Sequence, residues 1–155
     1  MRKSDNLFES VKSIMNNYKL KKNCDAIIID IHGEAASEKQ ALANYLDGKV
    51  TAVIGTHTHV PTSDLRILPH GTAYQTDAGM CGDYDSVIGG EKNKWIENFV
   101  KKTGFQKIKP ASINHTICGT IIKVYEDTGL SSVAKQLILG DILENKIPDE
   151  KLFLK

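Results

Sequence analysis

Two short apolar runs separated by a helical pattern constrain the fold of this chain most strongly. The runs "DAIIIDIHG" (25–33) and "KVTAVIG" (49–55) are rich in β-branched residues and end at glycine, which is typical of buried strands. The segment between them, "ASEKQALANYLDG" (36–48), is predicted to be a helix capped by Ser37, with Gln40 in the capping-box position. Strand, helix and strand in this order predict a layered α/β unit with parallel strands.

Two further helices are predicted from apolar residues at helical spacing. The first runs from Asp5 to Tyr18, and its start resembles a capping box formed by Asn6 and Glu9. The second covers "EKNKWIENFVKKTG" (91–104). Four residues are expected on the inner face of this second helix: Trp95, Ile96, Phe99 and Val100.

The remaining segments predict antiparallel β-structure. "LRILP" (65–69) and "TAYQTD" (72–77) are two extended pieces joined by a turn, which predicts a hairpin. The glycine-rich segment 78–90 is predicted to be a loop. The runs 116–125 and 130–139, separated by "EDTG", predict a second hairpin. Parallel strands thus come first and antiparallel hairpins later, and no linker divides the chain, so residues 1–155 are predicted to form a single domain.

Composition narrows the class of protein. The 155 residues are 41% apolar, and a formal net charge of +1 gives no support for nucleic-acid binding or for an acidic membrane surface as a partner. The longest apolar run, Ala26 to Ile29, is too short to span a bilayer, and no signal-peptide pattern is visible. The three cysteines, which lack Cys-x-x-Cys spacing, argue against a disulfide framework or a zinc ribbon and predict a cytoplasmic protein.

Three histidines follow consecutive predicted strands. His32 ends the first strand, and His57 and His59 lie just past the second. Ligands of open α/β sheets bind beyond the carboxyl ends of strands, and imidazole is a common ligand of divalent metals. An extended "HTH" segment would send its rings to opposite sides, so either two adjacent metals bind or the loop bends. The competing interpretation is that each histidine is a hydrogen-bonded surface residue.

The carboxylates give a weaker signal. Asp30 and Glu34 flank His32. Asp30 is expected to face the other way along the strand and to hydrogen-bond to a metal ligand without touching the metal. Glu34 is expected either to orient a ligand or to cap the next helix. Three other aspartates belong to a glycine-rich loop that could approach the histidines, but the favoured interpretation is that they form turns: Asp77, Asp83 and Asp85. No bridging carboxylate is recognisable, although a hydrolytic two-metal site generally needs a bridging oxygen ligand.

Three stretches resemble one known family. "IDIHGEAASEK", "AVIGTHTHVPTSDLRILPHGTAYQTDAGMCGDYDSVIG" and "CGTIIKVYEDTG" are similar to the YmdB-like family of calcineurin-type metallophosphoesterases, which are 2',3'-cyclic-nucleotide phosphodiesterases, from about Asn6 to Leu143. The resemblance implies a four-layer α/β/β/α sandwich around two divalent ions, iron or manganese, and hydrolysis of phosphodiesters by a hydroxide that bridges them. It assigns His32 and His57 to one metal and His59 to the other.

The resemblance covers only the C-terminal half of the family fold. The family's N-terminal Asp, its bridging Glu and the Asn-His pair that supplies a general acid have no counterpart here. The chain is therefore expected to be a truncated domain without a catalytic residue, to hold at most one metal weakly, and to be inactive by itself. A complementing N-terminal chain or self-association is the expected partner, and a cyclic nucleotide or another small phosphodiester the expected substrate. The alternative is a non-catalytic metal-binding or partner-binding remnant of a split gene.

Overall fold

The computed structural model describes residues 6–101, 107–149 and 151. Its helices are α1 (Leu7–Asn17), α2 (Ala36–Leu46) and α3 (Lys92–Lys101). Its strands are β1 (Ile28–His32), β2 (Ala52–Thr56), β3 (Arg66–Ile67), β4 (Ala73–Gln75), β5 (Gly82–Asp83), β6 (His115–Val124) and β7 (Ser131–Gly140). They form one sheet in the order β1-β2-β4-β3 and a second in the order β5-β6-β7.

The first sheet contains the predicted parallel unit. β1 pairs with β2 and β2 with β4 in parallel, whereas β3 returns antiparallel to β4. The strand-helix-strand prediction and the first hairpin are therefore confirmed. Within this register His32 lies opposite Thr56, so both strands end at the same level and their carboxyl ends open at one edge.

The core lies between this sheet and the first two helices. Leu42, Ala43 and Leu46 of α2 are almost fully buried and belong to one cluster with Val53 and Tyr74 of the sheet. Full burial of a leucine side chain contributes about 1.5 to 3 kcal/mol. The helix is therefore held firmly against β2 and β4, which fixes the strand ends beside it.

The second sheet is a long hairpin attached to the first sheet by buried polar contacts. The Thr51 hydroxyl donates to the Gly129 carbonyl at 2.7 Å, and the Ser131 hydroxyl donates to the Thr51 carbonyl at 2.8 Å. The hairpin of β6 and β7 is confirmed, but the segment 78–90, predicted to be a loop, contains the two-residue strand β5. This strand escaped prediction because so short a pairing leaves no alternation in the sequence.

The helix starts are only partly as predicted. The Asn6 side chain caps α1 by accepting from the Phe8 amide at 3.0 Å, whereas Asp5 lies outside the described residues. The prediction that Ser37 caps α2 was wrong: the N-cap is Ala35, whose side chain makes no cap hydrogen bond. The Lys39 amide already bonds to the Ala35 carbonyl, so Ser37 lies inside the first turn. Serine is strongly preferred at the N-cap, so the start of α2 at Ala35 departs from the usual pattern.

The inner face predicted for α3 is only partly confirmed, because Trp95 is half-buried but the other three residues are exposed. Ile96, Phe99 and Val100 are 54%, 64% and 75% exposed, and the buried residue of this helix is Asn98. Helical periodicity shows that an apolar stripe exists but does not show which surface covers it. Residues 102–104 of the predicted helix lie outside the described residues.

No helix in the described part of the chain has the length and apolarity needed to cross a membrane. All three cysteines are free thiols: Cys118 is buried, Cys24 is half-buried and Cys81 is exposed.

Candidate metal site

The ends of β1 and β2 bring two of the three predicted histidines into contact. His32 is the last residue of β1, and His57 directly follows β2. Their rings meet edge to face, with centroids 4.9 Å apart and an interplanar angle of 83°. His57 Nδ1 lies 3.1 Å from His32 Nε2, so the two imidazole rings are within hydrogen-bond distance of each other.

A hydrogen-bond relay fixes the tautomer of His32. The Thr56 hydroxyl donates to Asp30 Oδ1 at 3.0 Å, so its oxygen is left to accept from His32 Nδ1 at 3.0 Å. His32 Nε2 then carries the lone pair that faces His57. The expectation that Asp30 faces the other way was wrong, because residues two apart on a strand share one face.

Glu34 contacts the outer nitrogen of His57. Its Oε2 lies 2.8 Å from His57 Nε2, and the Glu34 side chain is 84% exposed. His57 thus has a neighbour at each ring nitrogen, the imidazole of His32 at Nδ1 and the Glu34 carboxylate at Nε2. Of the two roles considered for Glu34, the contact is with a histidine and not with the start of α2.

The "HTH" loop bends, and His59 points elsewhere. His57 and His59 have φ angles of 137° and 65°, in the left-handed region that side chains other than glycine rarely adopt. His59 Nδ1 donates to the Ile88 carbonyl at 2.9 Å, which leaves its Nε2 free to bind a metal. Metal-ligating histidines typically donate their second nitrogen to such a carbonyl. The rings of His57 and His59 therefore have different neighbours: His57 contacts His32, and His59 contacts the Ile88 carbonyl.

A buried ion pair beneath the loop was missed by the sequence reasoning. Lys39 and Asp77 are each 1% exposed, and Lys39 Nζ lies 3.7 Å from Asp77 Oδ2. Lys39 shares the buried face of α2 with Leu42, Ala43 and Leu46, at the i, i+3, i+4, i+7 spacing of an apolar stripe. That spacing was the available signal, because a lysine within such a stripe must find a buried partner.

The three aspartates in or next to the glycine-rich segment form no hydrogen bond with the rings of His32, His57 or His59. Asp77 accepts from the Gly79 amide and Asp83 from the Asp85 amide, which are the predicted turns. Amide donors at Asn114 and Ile113 hold the pKa of Asp83 below its ordinary value. The Asp85 carboxylate pairs instead with Lys92 at 2.6 Å.

The histidine pair is compatible with one metal ion but does not complete a site. Two nitrogens each about 2.1 Å from one ion lie roughly 2.9 to 3.4 Å apart at ordinary ligand angles, and the observed spacing of 3.1 Å falls within this range. Within residues 6–101, 107–149 and 151, no three His, Cys, Asp or Glu side chains are grouped to hold a metal.

Comparison with known proteins gives one consistent family. A family model described as "YmdB-like protein" matches residues 1–137. The 2',3'-cyclic-nucleotide 2'-phosphodiesterase of Bacillus subtilis is 43% identical over 116 residues, which cover 74% of this chain and 43% of the relative.

Solved structures show the same relationship. A hypothetical protein from Thermus thermophilus superposes with a TM-score of 0.79 at 37% identity, over 91% of this chain and 53% of that one. A novel phosphatase from Mycoplasma pneumoniae gives 0.79 at 32% identity, over 99% and 51%. The chain thus spans about half the length of these proteins, or less, and the predicted α/β fold class is confirmed.

Proposed function

This chain belongs to the YmdB-like protein family, as its motifs predicted, and from that membership we propose that it supplies the histidine side of a metal-dependent phosphodiesterase site. The observation that carries the proposal is the 3.1 Å spacing between His32 Nε2 and His57 Nδ1 at neighbouring strand ends. The proposed substrates are phosphodiesters, among them cyclic nucleotides, because the Bacillus subtilis relative is named for that activity.

The three histidines would divide between two divalent ions, iron or manganese. His32 and His57 would hold one ion through the nitrogens that now face each other, and His59 would hold the other through Nε2. Bound divalent ions would supply Lewis-acid activation of the phosphate and of the attacking water. The chain itself orients the ligands: Thr56 and Asp30 fix the ring of His32, and the Ile88 carbonyl fixes that of His59.

A complementing polypeptide is proposed to provide the remaining ligands and the general acid. Two histidines in contact bind a metal weakly, and the chain matches only 43% of the length of the Bacillus subtilis relative. Among the described residues β1 pairs only with β2, and Ile28 at its start is 64% exposed. The free edge of β1 is therefore the surface on which a strand of this partner would pair.

The runner-up is a non-catalytic protein that binds a metal or a partner. The observation in its favour is the same incomplete donor set among the described residues, together with the exposed apolar stripe of α3. Such stripes mark interaction surfaces in soluble proteins. The two functions differ in one measurable property, which is turnover in the presence of the missing half.

Metal content tests the site directly. The native chain, His57→Ala and the control His70→Ala would be brought to equilibrium dialysis against a fixed concentration of Mn²⁺ or Fe²⁺ without oxygen, and the metal bound per chain would be measured by plasma mass spectrometry. His70 is a suitable control because it is 77% exposed and pairs with Asp47, away from the loop. We expect metal in the native chain and in His70→Ala, and its loss in His57→Ala. Equal metal in all three, or none in any, contradicts the proposal.

Activity separates the two functions. The chain would be mixed with the N-terminal half of the Bacillus subtilis relative and assayed with 2',3'-cyclic AMP and bis-p-nitrophenyl phosphate. Turnover by the mixture, and by neither part alone, supports the phosphodiesterase. An inert mixture whose parts bind each other and retain metal favours the non-catalytic alternative.

A further inference from the structure

The buried ion pair lies directly beneath the histidine loop. Lys39 Nζ donates to the carbonyls of Thr56 and Thr76 at 3.0 and 3.1 Å and faces Asp77 Oδ2 at 3.7 Å. One ammonium group thus meets the last residue of β2 and the two residues that follow β4. The ammonium group donates to both carbonyls, and the carboxylate is close enough for an ion pair but too far for a hydrogen bond. Lys39 therefore ties together the ends of two adjacent parallel strands where their ladder stops.

Asp77 extends this tie into the loop. Its Oδ2 accepts from the Thr58 amide at 2.7 Å, while its Oδ1 accepts from the Gly79 amide at 2.9 Å. The backbone of Asp77 is also bonded to Thr62: the Thr62 amide donates to the Asp77 carbonyl at 3.0 Å, and the Asp77 amide donates to the Thr62 hydroxyl at 2.9 Å. The segment from Thr58 to Thr62 is therefore fastened at both ends to one aspartate.

The position of this tie coincides with the backbone strain. Thr58 stands between His57 and His59, the two residues with left-handed φ angles. Such conformations persist only where the surroundings over-determine them. The hydrogen bond from the Thr58 amide to Asp77 holds the peptide between these two residues, and the bond from Lys39 holds the Thr56 carbonyl one residue earlier.

We propose that Lys39 and Asp77 are positioning residues that hold the histidine loop in its metal-binding conformation. Neither side chain forms a hydrogen bond or ion pair with an imidazole, so each acts through the backbone of Thr56 and Thr58. A buried ion pair contributes little net stability compared with apolar residues of equal volume, so a role in stability alone accounts poorly for its presence. The effect on metal affinity rests on the proposed function, whereas the effect on loop conformation does not.

Two variants test the pair. Asp77→Asn keeps the shape but removes the charge and one acceptor oxygen, so the bond from the Thr58 amide is either lost or replaced by a weaker neutral one. The double variant Lys39→Met with Asp77→Asn removes both charges and leaves no lone buried charge, which protects folding. Leu42→Ala is the matched control, because Leu42 lies on the same buried face of α2 but contacts neither strand end through a hydrogen bond. Urea unfolding would establish that all variants are folded.

Hydrogen exchange of the Thr58 amide, followed by NMR in the metal-free protein, gives the first readout. We expect roughly tenfold faster exchange in both pair variants, because a charge-assisted bond is lost, and no change in Leu42→Ala below the unfolding limit. Unchanged exchange in the pair variants overturns the positioning role. So does equal acceleration in Leu42→Ala, because exchange would then follow stability.

Co²⁺ affinity and the visible spectrum of bound Co²⁺ give the second readout. We expect affinity roughly 10- to 100-fold lower in the pair variants, with a changed spectrum, and native values in Leu42→Ala. Native affinity and spectrum in the pair variants overturn the effect on metal binding. If the native chain binds no metal, the proposed function fails, while the exchange rate at Thr58 still supports or overturns the positioning of the loop.

Discussion

Gly55 is the glycine whose replacement should be most damaging near the site. It lies in β2, and a methyl group built on it would stand 1.8 Å from the Thr76 carbonyl oxygen and 2.9 Å from Lys39 Cδ. The first contact is with backbone, which cannot rotate away as a side chain can. The Gly55→Ala substitution would therefore force apart β2 and the segment that follows β4.

The magnitude follows from the contacts that would be lost. Forcing a methyl group into a packed site costs about 1 to 3 kcal/mol. Moving the Thr76 carbonyl also breaks its bond from Lys39 and disturbs the bond from the Ala78 amide to the Gly55 carbonyl, at about 1 kcal/mol each. We expect the free energy of unfolding to fall by about 3 to 5 kcal/mol.

Urea denaturation followed by circular dichroism would measure this loss, with Gly33→Ala as the matched control. Gly33 follows β1 at the same sheet edge, but its added methyl would have nothing nearer than Glu38 Oε2 at 4.0 Å. The control should stay within about 0.5 kcal/mol of the native chain. A Gly55→Ala protein as stable as Gly33→Ala would refute the reasoning, because the strand ends would then not be packed as described.

Three further results are expected. Burial raises the pKa of Asp64, but hydrogen bonds from two threonines outweigh it and hold the pKa below 3.8. The stabilisation that the Asp64 carboxylate gives the folded chain is complete above that value and disappears as pH falls through the lowered pKa. In urea denaturation at decreasing pH, the native chain should therefore lose more stability than Asp64→Asn. Leu42→Ala should cost about 2 to 5 kcal/mol in unfolding free energy, measured by urea denaturation; a smaller loss would contradict its place in the core. Iodoacetamide should label exposed Cys81 quickly and Cys118, whose pKa burial raises, only after unfolding, as followed by peptide mass spectrometry; equal rates would contradict this.

The strand patterns predicted the first sheet and placed three histidines at one of its edges. β-branched runs on either side of a helical pattern leave few arrangements other than neighbouring parallel strands, and such strands end at one edge. That geometry does not choose between His57 and His59 as the neighbour of His32; the pairing of His32 with His57 was implied by the family resemblance. The hydrogen bond between Thr56 and His32 could not be predicted, because it depends on the pairing register of β1 and β2, which the sequence of each strand alone does not show.

Other parts of the site could not be predicted because they depend on distant segments. The carbonyl that accepts the hydrogen bond from His59 belongs to Ile88, 29 residues further along the chain. Asp77 has the sequence context of a turn residue and makes that turn, yet its second oxygen serves Thr58 and Lys39. The sequence around such a residue predicts only its hydrogen bond to a near neighbour. For the same reason the sequence could not show that three of the four residues assigned to the inner face of α3 are exposed.

The left-handed backbone of the histidine loop bears on how this sequence can change. A glycine at the position of His57 or His59 would adopt the same φ without the steric cost of a Cβ, which is about 1 kcal/mol or more per residue. Random variants selected only for heat resistance would therefore accumulate glycine or asparagine at these two positions. On the proposed function, a second selection for metal binding would restore histidine at both positions. The difference between the two populations would measure how far the need for a metal ligand opposes the relief of backbone strain in this loop.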